Sequence, residues 1–211
     1  NYRSLAKVIS QVENSADGAI DLLRHLKINY DIPVIGFTGP PGAGKSSLLN
    51  ALLAKMANKW RIAILAVDPT SPFTSGSILG DRYRMNEYFL HQNVYIRSLA
   101  TRGNLGGLSA RTIEITDVLR SCAFDFIFIE TVGVGQSEVE IAALADTTIL
   151  VLNPGTGDDI QALKAGIMEI ADVFVINKAD RDQADALVKH IQNMLRLRNQ
   201  AHHPPIFKTI A

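Results

Sequence analysis

Eight consecutive residues, Gly39-Pro40-Pro41-Gly42-Ala43-Gly44-Lys45-Ser46, carry the glycines, lysine and hydroxyl that hold a nucleoside triphosphate by its phosphates. The glycines let the backbone curl so that successive N–H groups face a β-phosphate, and the helix that follows, entered at Ser47, adds the partial positive charge of its N-terminus. Lys45 would neutralise the β- and γ-oxygens. Ser46 would offer its hydroxyl to a Mg²⁺ ion bridging the same two phosphates. At ordinary residue usage the pattern arises about once in 25,000 positions, and here it lies between an apolar strand-like run and a helix-like one. It therefore reads as a phosphate cradle.

The nucleobase is addressed further along. Asn177-Lys178-Ala179-Asp180 directly follows the apolar run Val173 to Ile176 and resembles the Asn-Lys-x-Asp guanine signature of G proteins. An Asp180 carboxylate can accept from both N1–H and the N2 amino group of guanine, whereas adenine offers an acceptor at N1 and cannot satisfy it. Sites built around such a pair discriminate by roughly 10⁴–10⁵, so GTP and GDP are expected rather than their adenine counterparts. Thr209-Ile210-Ala211, after a short strand Ile206-Phe207-Lys208, occupies the place where G proteins carry a backbone contact to the guanine oxygen.

Glu130 closes the apolar run Phe126 to Ile129, and Gly133 follows three places later, an arrangement that looks like a second switch. Most G proteins have Asp at that acidic position. Glu130 is one methylene longer and still reaches a Mg²⁺ shell through water, while Gly133 can donate its N–H to the γ-phosphate. Asp68 and Asp81 are further carboxylates for the metal, with plainer roles open to each: Asp68 as a cap before Pro69, Asp81 as a solvated loop charge. After Gly133 comes Val134, which cannot orient an attacking water, and Gln136 lies two residues further on. Slow intrinsic GTP hydrolysis is the expectation. Gln161 and Lys164, beyond Gly155-Thr156-Gly157-Asp158-Asp159, and Arg82 or Arg84 are candidate helpers or solvated charges.

Such a site requires an α/β scaffold. Apolar runs at Val34 to Thr38, Ile62 to Val67, Val94 to Ser98, Phe126 to Ile129, Thr148 to Leu152 and Val173 to Ile176 are separated by helix-length stretches, which predicts a P-loop three-layer sandwich with a mostly parallel sheet. Helical spacing of Leu5, Val8, Ile9, Val12, Ala16, Ile20, Leu22, Leu23 and Leu26 predicts an amphipathic N-terminal extension over residues 1–30, ahead of a nucleotide-binding domain at 31–211. With 211 residues, 47% of them hydrophobic, and a formal net charge of +0, composition favours a single core and gives no reason to expect nucleic acid or an anionic membrane as partner. The one cysteine, Cys122, excludes an intramolecular disulfide framework and fits a reducing compartment.

Several segments together narrow the family. Ala66-Val67-Asp68-Pro69-Thr70-Ser71-Pro72, Gly76-Ser77-Ile78-Leu79-Gly80-Asp81-Arg82, Glu130-Thr131-Val132-Gly133-Val134-Gly135-Gln136-Ser137-Glu138 and Asn153-Pro154-Gly155-Thr156-Gly157-Asp158 resemble the MeaB/ArgK family. That resemblance covers essentially the whole chain. It implies a nucleotide-dependent chaperone of adenosylcobalamin enzymes, chiefly methylmalonyl-CoA mutase, placed in the cytoplasm or, in a eukaryote, the mitochondrial matrix. By the same resemblance Asp68, Asp81 and Glu130 fall on acidic metal-site positions, and Gln161 and Lys164 on a segment that couples nucleotide state to the mutase. Family members continue into a helical arm that forms a homodimer, and this chain stops at Ala211, which puts dimerisation through that arm in doubt. Two other functions compete. A P-loop kinase of an arginine/ornithine (LAO/AO) transport system needs no guanine reader, and a nickel metallochaperone usually wants Cys/His clusters, whereas Cys122 is alone and His202-His203 precedes Pro204-Pro205.

Overall fold

The computed structural model describes residues 1–68, 82–100, 110–131, 140–155, 167–197 and 204–211. Seven strands form its centre: β1 (Val34–Thr38), β2 (Ile62–Asp68), β3 (Val94–Ala100), β4 (Phe126–Thr131), β5 (Thr147–Leu152), β6 (Val173–Ile176) and β7 (Ile206–Lys208). Their order across the sheet is β3-β2-β4-β1-β5-β6-β7, and every ladder between them is parallel. The nearly continuous apolar runs follow from this. The inner strands β1, β2, β4, β5 and β6 are covered on both faces and have no polar side to alternate with, whereas the edge strand β7 leaves Phe207 and Lys208 exposed.

The α-helices among the described residues are α1 (Tyr2–Glu13), α2 (Ala19–Arg24), α3 (Lys45–Met56), α4 (Ala110–Arg120) and α5 (Ala184–Leu197). On one face of the sheet Ala63, Leu65, Val67, Ile127 and Ile129 pack with Leu5, Ile9 and Val12 of α1 and Ile115, Val118 and Leu119 of α4. The alternation along β5 and β6 places Leu150, Leu152, Phe174 and Ile176 on that same face, where they meet Ile191 and Leu195 of α5. On the other face Phe37, Ile62, Ile64, Phe128, Val151 and Val175 bury Leu48, Leu49 and Leu53 of α3. The expected three-layer sandwich results.

The N-terminal periodicity is interrupted where the sequence suggested one amphipathic stretch. Helix α1 ends at Glu13, Asn14 bonds back to the Ser10 carbonyl, Ser15 and Gly18 take positive φ (50° and 81°), and Ile20 stands 65% exposed on α2. Asn-Ser and Asp-Gly favour turns because their side chains or their lack of one support local backbone bonds and left-handed φ. Hydrophobic spacing alone does not register that. Residues of α1 nevertheless share one buried cluster with β2, β4 and α4, so the first helix is part of the same core.

Register at the N-terminal ends of the strands is fixed by a device used three times. Asp125, Asp146 and Asp172 each stand one residue before a strand, and each exchanges two hydrogen bonds with one residue of a neighbouring strand's start. The Asp N–H donates to the carbonyls of Arg61 (2.8 Å), Val34 (2.8 Å) and Thr148 (2.9 Å), and the carboxylate accepts the N–H of the same residue at 2.7 Å in all three. Asp146 also accepts from Arg120 Nη2 at 2.6 Å. Substitution Asp146→Ala would leave the Val34 N–H without its acceptor and is expected to lower stability by about 1–2 kcal/mol. A denaturant midpoint unchanged from wild type would show that water replaces the carboxylate without loss.

Candidate nucleotide site

The carboxyl ends of β1, β2, β4, β5 and β6 lie along one end of the parallel sheet, the general position of ligand sites in open sheets of this kind. The loop 39–44 leaves β1 there and feeds directly into α3, whose first residue is Lys45. Two of its glycines are required by close neighbours. A Cβ on Gly39 (φ 134°) would lie 2.1 Å from the Val151 carbonyl oxygen of β5, and one on Gly44 (φ 94°) would lie 2.2 Å from Asn177 Nδ2. The loop is thus seated against both β5 and the base-reading segment.

Pro40 and Pro41 carry no N–H, and the Ala43 N–H is bonded to the Pro40 carbonyl at 3.2 Å. Lys45 is buried, with Nζ donating to the carbonyls of Gly39 (2.7 Å) and Pro40 (3.1 Å). Those bonds hold the ammonium folded over the loop it serves. One residue on, Ser46 Oγ donates to Glu130 Oε1 at 2.6 Å. Both side chains are buried, and β1–β4 pairing of Phe37 with Glu130 sets the carboxylate at this height. A hydroxyl and a carboxylate in direct contact beside a phosphate cradle are the hard oxygen donors that Mg²⁺ takes, so the residues present fit that ion.

The second half of the site is tied to the first by Asn177, which is fully buried. Its Nδ2 donates to the Ala43 carbonyl at 3.1 Å, while its Oδ1 accepts from Thr209 Oγ1 at 3.2 Å and from the Ala211 N–H at 3.1 Å. Lys178 adopts a left-handed backbone (φ 55°) and sends Nζ to the Gly42 carbonyl at 2.7 Å. The Ala179 N–H donates to the Thr209 carbonyl, and Thr209 N–H to Ile176. Nearby, Lys208 bonds Asp185 at 2.9 Å, which holds that carboxyl below its ordinary value. P-loop, base loop and 209–211 are therefore one hydrogen-bonded unit, a pattern in which a G-protein chain would bring phosphate and base readers to one ligand. Residues 5–211 match the family described as Methylmalonyl Co-A mutase-associated GTPase MeaB.

The chain belongs to the MeaB family. A GTPase so named from Pyrococcus abyssi is 47% identical over 216 residues, covering 99% of this chain and 67% of that protein. The mitochondrial methylmalonic aciduria type A homolog of Mus musculus is 39% identical over 184 residues, covering 84% of this chain and 44% of the mouse protein. Among solved structures, a LAO/AO transport system kinase superposes with a TM-score of 0.65 at 24% identity, covering all of this chain and 70% of that one, which supports the fold. The chain is accordingly a P-loop GTPase of the MeaB family, and it spans about two thirds of the archaeal relative's length.

Within this MeaB chain the stretch Gly39, Pro40, Pro41, Gly42, Ala43, Gly44, Lys45, Ser46 and Ser47 is bonded to Glu130 through Ser46, to Asn177 through Ala43 and to Lys178 through Gly42. Asp180 is exposed. In the segment Thr209-Ile210-Ala211, expected at the place of a backbone contact to the guanine oxygen, the Ala211 N–H donates to Asn177 Oδ1. Asp68 ends β2 one place beyond Val67, the partner of Thr131, and its side chain lies outside the described residues, as do Asp81, Gly133, Val134, Gln136, Gln161 and Lys164. Among the described residues no three His, Cys, Asp or Glu side chains converge on a metal position, and no helix is long and apolar enough to cross a membrane.

The sequence assigned Lys178 to the base motif without its bond to Gly42, and it marked Asn153 only as the start of a family-like segment, with no role in the site. A signal for Asn153 was present: an Asn-Pro pair directly after the apolar run Thr148 to Leu152, as Asn177 stands directly after the run Val173 to Ile176.

Proposed function

We propose that this chain is a Mg²⁺-dependent, GTP-binding and GTP-hydrolysing chaperone whose nucleotide state gates an adenosylcobalamin-dependent mutase of the methylmalonyl-CoA mutase type. The observation that carries the reading is the match of residues 5–211 to a family described by its association with that mutase, on a chain whose P-loop and base loop are bonded into one unit. The name of the mouse relative, a methylmalonic aciduria protein, supports the same partner.

The nucleotide would be read in two places. Asp180 takes the guanine edge, with Asn177 and Lys178 holding the loop's shape and 209–211 closing it. Lys45 exchanges the Gly39 and Pro40 carbonyls for the β- and γ-phosphate oxygens, and N–H groups from Gly42 onward face the phosphates. Ser46 and Glu130, with Asp68 and Asp81 in support, would hold Mg²⁺, which when bound neutralises charge developing on the β- and γ-oxygens. Gly133 would report the γ-phosphate, while Gln161 and Lys164 would link its loss to the partner. With Val134 beside Gly133, turnover in isolation is slow.

Steady-state GTP hydrolysis measured with and without methylmalonyl-CoA mutase from the same source tests this. Acceleration by the mutase is the expected outcome, at least about tenfold, since completing a GTPase site in trans can contribute far more. Identical rates with a chain that includes the segment found in longer relatives would remove the mutase as partner.

A further inference from the structure

We propose that Asn153 is a positioning residue of the nucleotide site: its side-chain oxygen braces the P-loop against the base loop through a hydrogen bond completed only in the nucleotide-loaded state. The inference rests on the guanine-nucleotide reading of the site. Asn153 follows β5 directly and is 3% exposed, and its Oδ1 is buried with no hydrogen-bond partner among the described residues. Pro154 comes next and confines Asn153 to an extended backbone. The alternation of β5 is thereby carried one residue past the last ladder pair.

That alternation places the residue. Val151 packs on the α3 side with Ala43, Leu48 and Leu49, and residue 153, two further on, falls on the same side. The adjacent strand repeats the geometry. Val175 pairs with Val151 and shares its cluster, and Asn177, two residues beyond, sends its side chain to the Ala43 carbonyl of the P-loop. Leu152 pairs with Ile176, so Asn153 and Asn177 are neighbours in register. On its other flank β1 pairs Thr38 with Leu150, and Gly39 presses on the Val151 carbonyl. Asn153 therefore lies in the seat beneath the P-loop, between the loop's first residue and the asparagine that ties it to the base reader.

A buried acceptor without a donor raises the free energy of the state that contains it, and a ligand that favours a state supplying the donor binds more tightly for that reason. Within the P-loop, Pro40 and Pro41 have no N–H to offer, whereas the N–H groups from Gly42 onward and the Lys45 ammonium, which bonds the carbonyls of Gly39 and Pro40, are donors. These are the groups that rearrange when a phosphate enters the loop.

The test compares wild type with Asn153→Ala and the near-isosteric Asn153→Leu, each without nucleotide and titrated with GDP. Expected is a melting temperature in the nucleotide-free protein that is unchanged or raised, with GDP binding about tenfold weaker in calorimetry and a smaller upward shift in melting temperature at saturating GDP. Wild-type GDP affinity in both variants would overturn the inference, as would a parallel loss of stability with and without nucleotide, the mark of a purely structural side chain. A wild-type protein that itself failed to bind GDP would overturn the nucleotide reading and this inference with it, whereas binding by wild type and variants alike would overturn the inference alone.

Discussion

Substitution of Lys45 by Ala is expected to weaken GTP binding about 100- to 1,000-fold, the consequence of losing a largely desolvated cation from a cluster of phosphate charges. The ammonium is buried and donates to two carbonyls of its own loop. Binding therefore exchanges one set of acceptors for a more strongly charged one, and no new side-chain ordering is required. The same substitution removes those two internal bonds, so the loop loses a fastening as well as a charge. Melting of the nucleotide-free variant separates the effects: a folded Lys45→Ala chain that fails to bind GTP in a titration locates the loss at the phosphates. Retained tight binding would sink the assignment of residues 39–46 as the cradle.

How much of this could be read beforehand depended on whether the responsible physics was local. The inner strands were legible because burial on both faces makes them nearly unbroken apolar runs, and all seven strands lie within two residues of the expected positions. The P-loop was legible because its chemistry and its strand-to-helix context are contiguous. The break between α1 and α2 was missed because two short turn signals compete with an apolar spacing that continues through them, and the left-handed residues at Ser15 and Gly18 decide the matter. What no local pattern shows is the coupling between distant segments. Gly44 looks like a conformational glycine in sequence, yet the amide of Asn177, 133 residues later, also leaves no space for a Cβ there. The same holds for Ser46 with Glu130 and for Lys178 with Gly42, which meet only because β1 stands between β4 and β5 in the sheet.

The base reader gives the sharpest test of specificity. Substitution Asp180→Asn should move preference from guanine to xanthine, because an amide oxygen can still accept from N1–H while its NH₂ donates to the carbonyl that replaces the N2 amino group. With guanine the two NH₂ groups would face each other, and the loss should approach the roughly 10⁴–10⁵ by which hydrogen-bonded sites reject an analogue that leaves their polar groups unpaired. The protein itself should be little affected. Asp180 is exposed, and the shape of its loop is held by Asn177 to Ala43, Lys178 to Gly42 and Ala179 to Thr209, none of which the substitution touches. A stability change within about 0.5 kcal/mol is expected, as for surface positions generally. Competition between guanine and xanthine nucleotides measures the switch directly: xanthine displacing guanine in the variant alone assigns the carboxylate to the base, whereas unchanged GTP affinity in Asp180→Asn would place the base elsewhere and leave 177–180 as a brace for the P-loop.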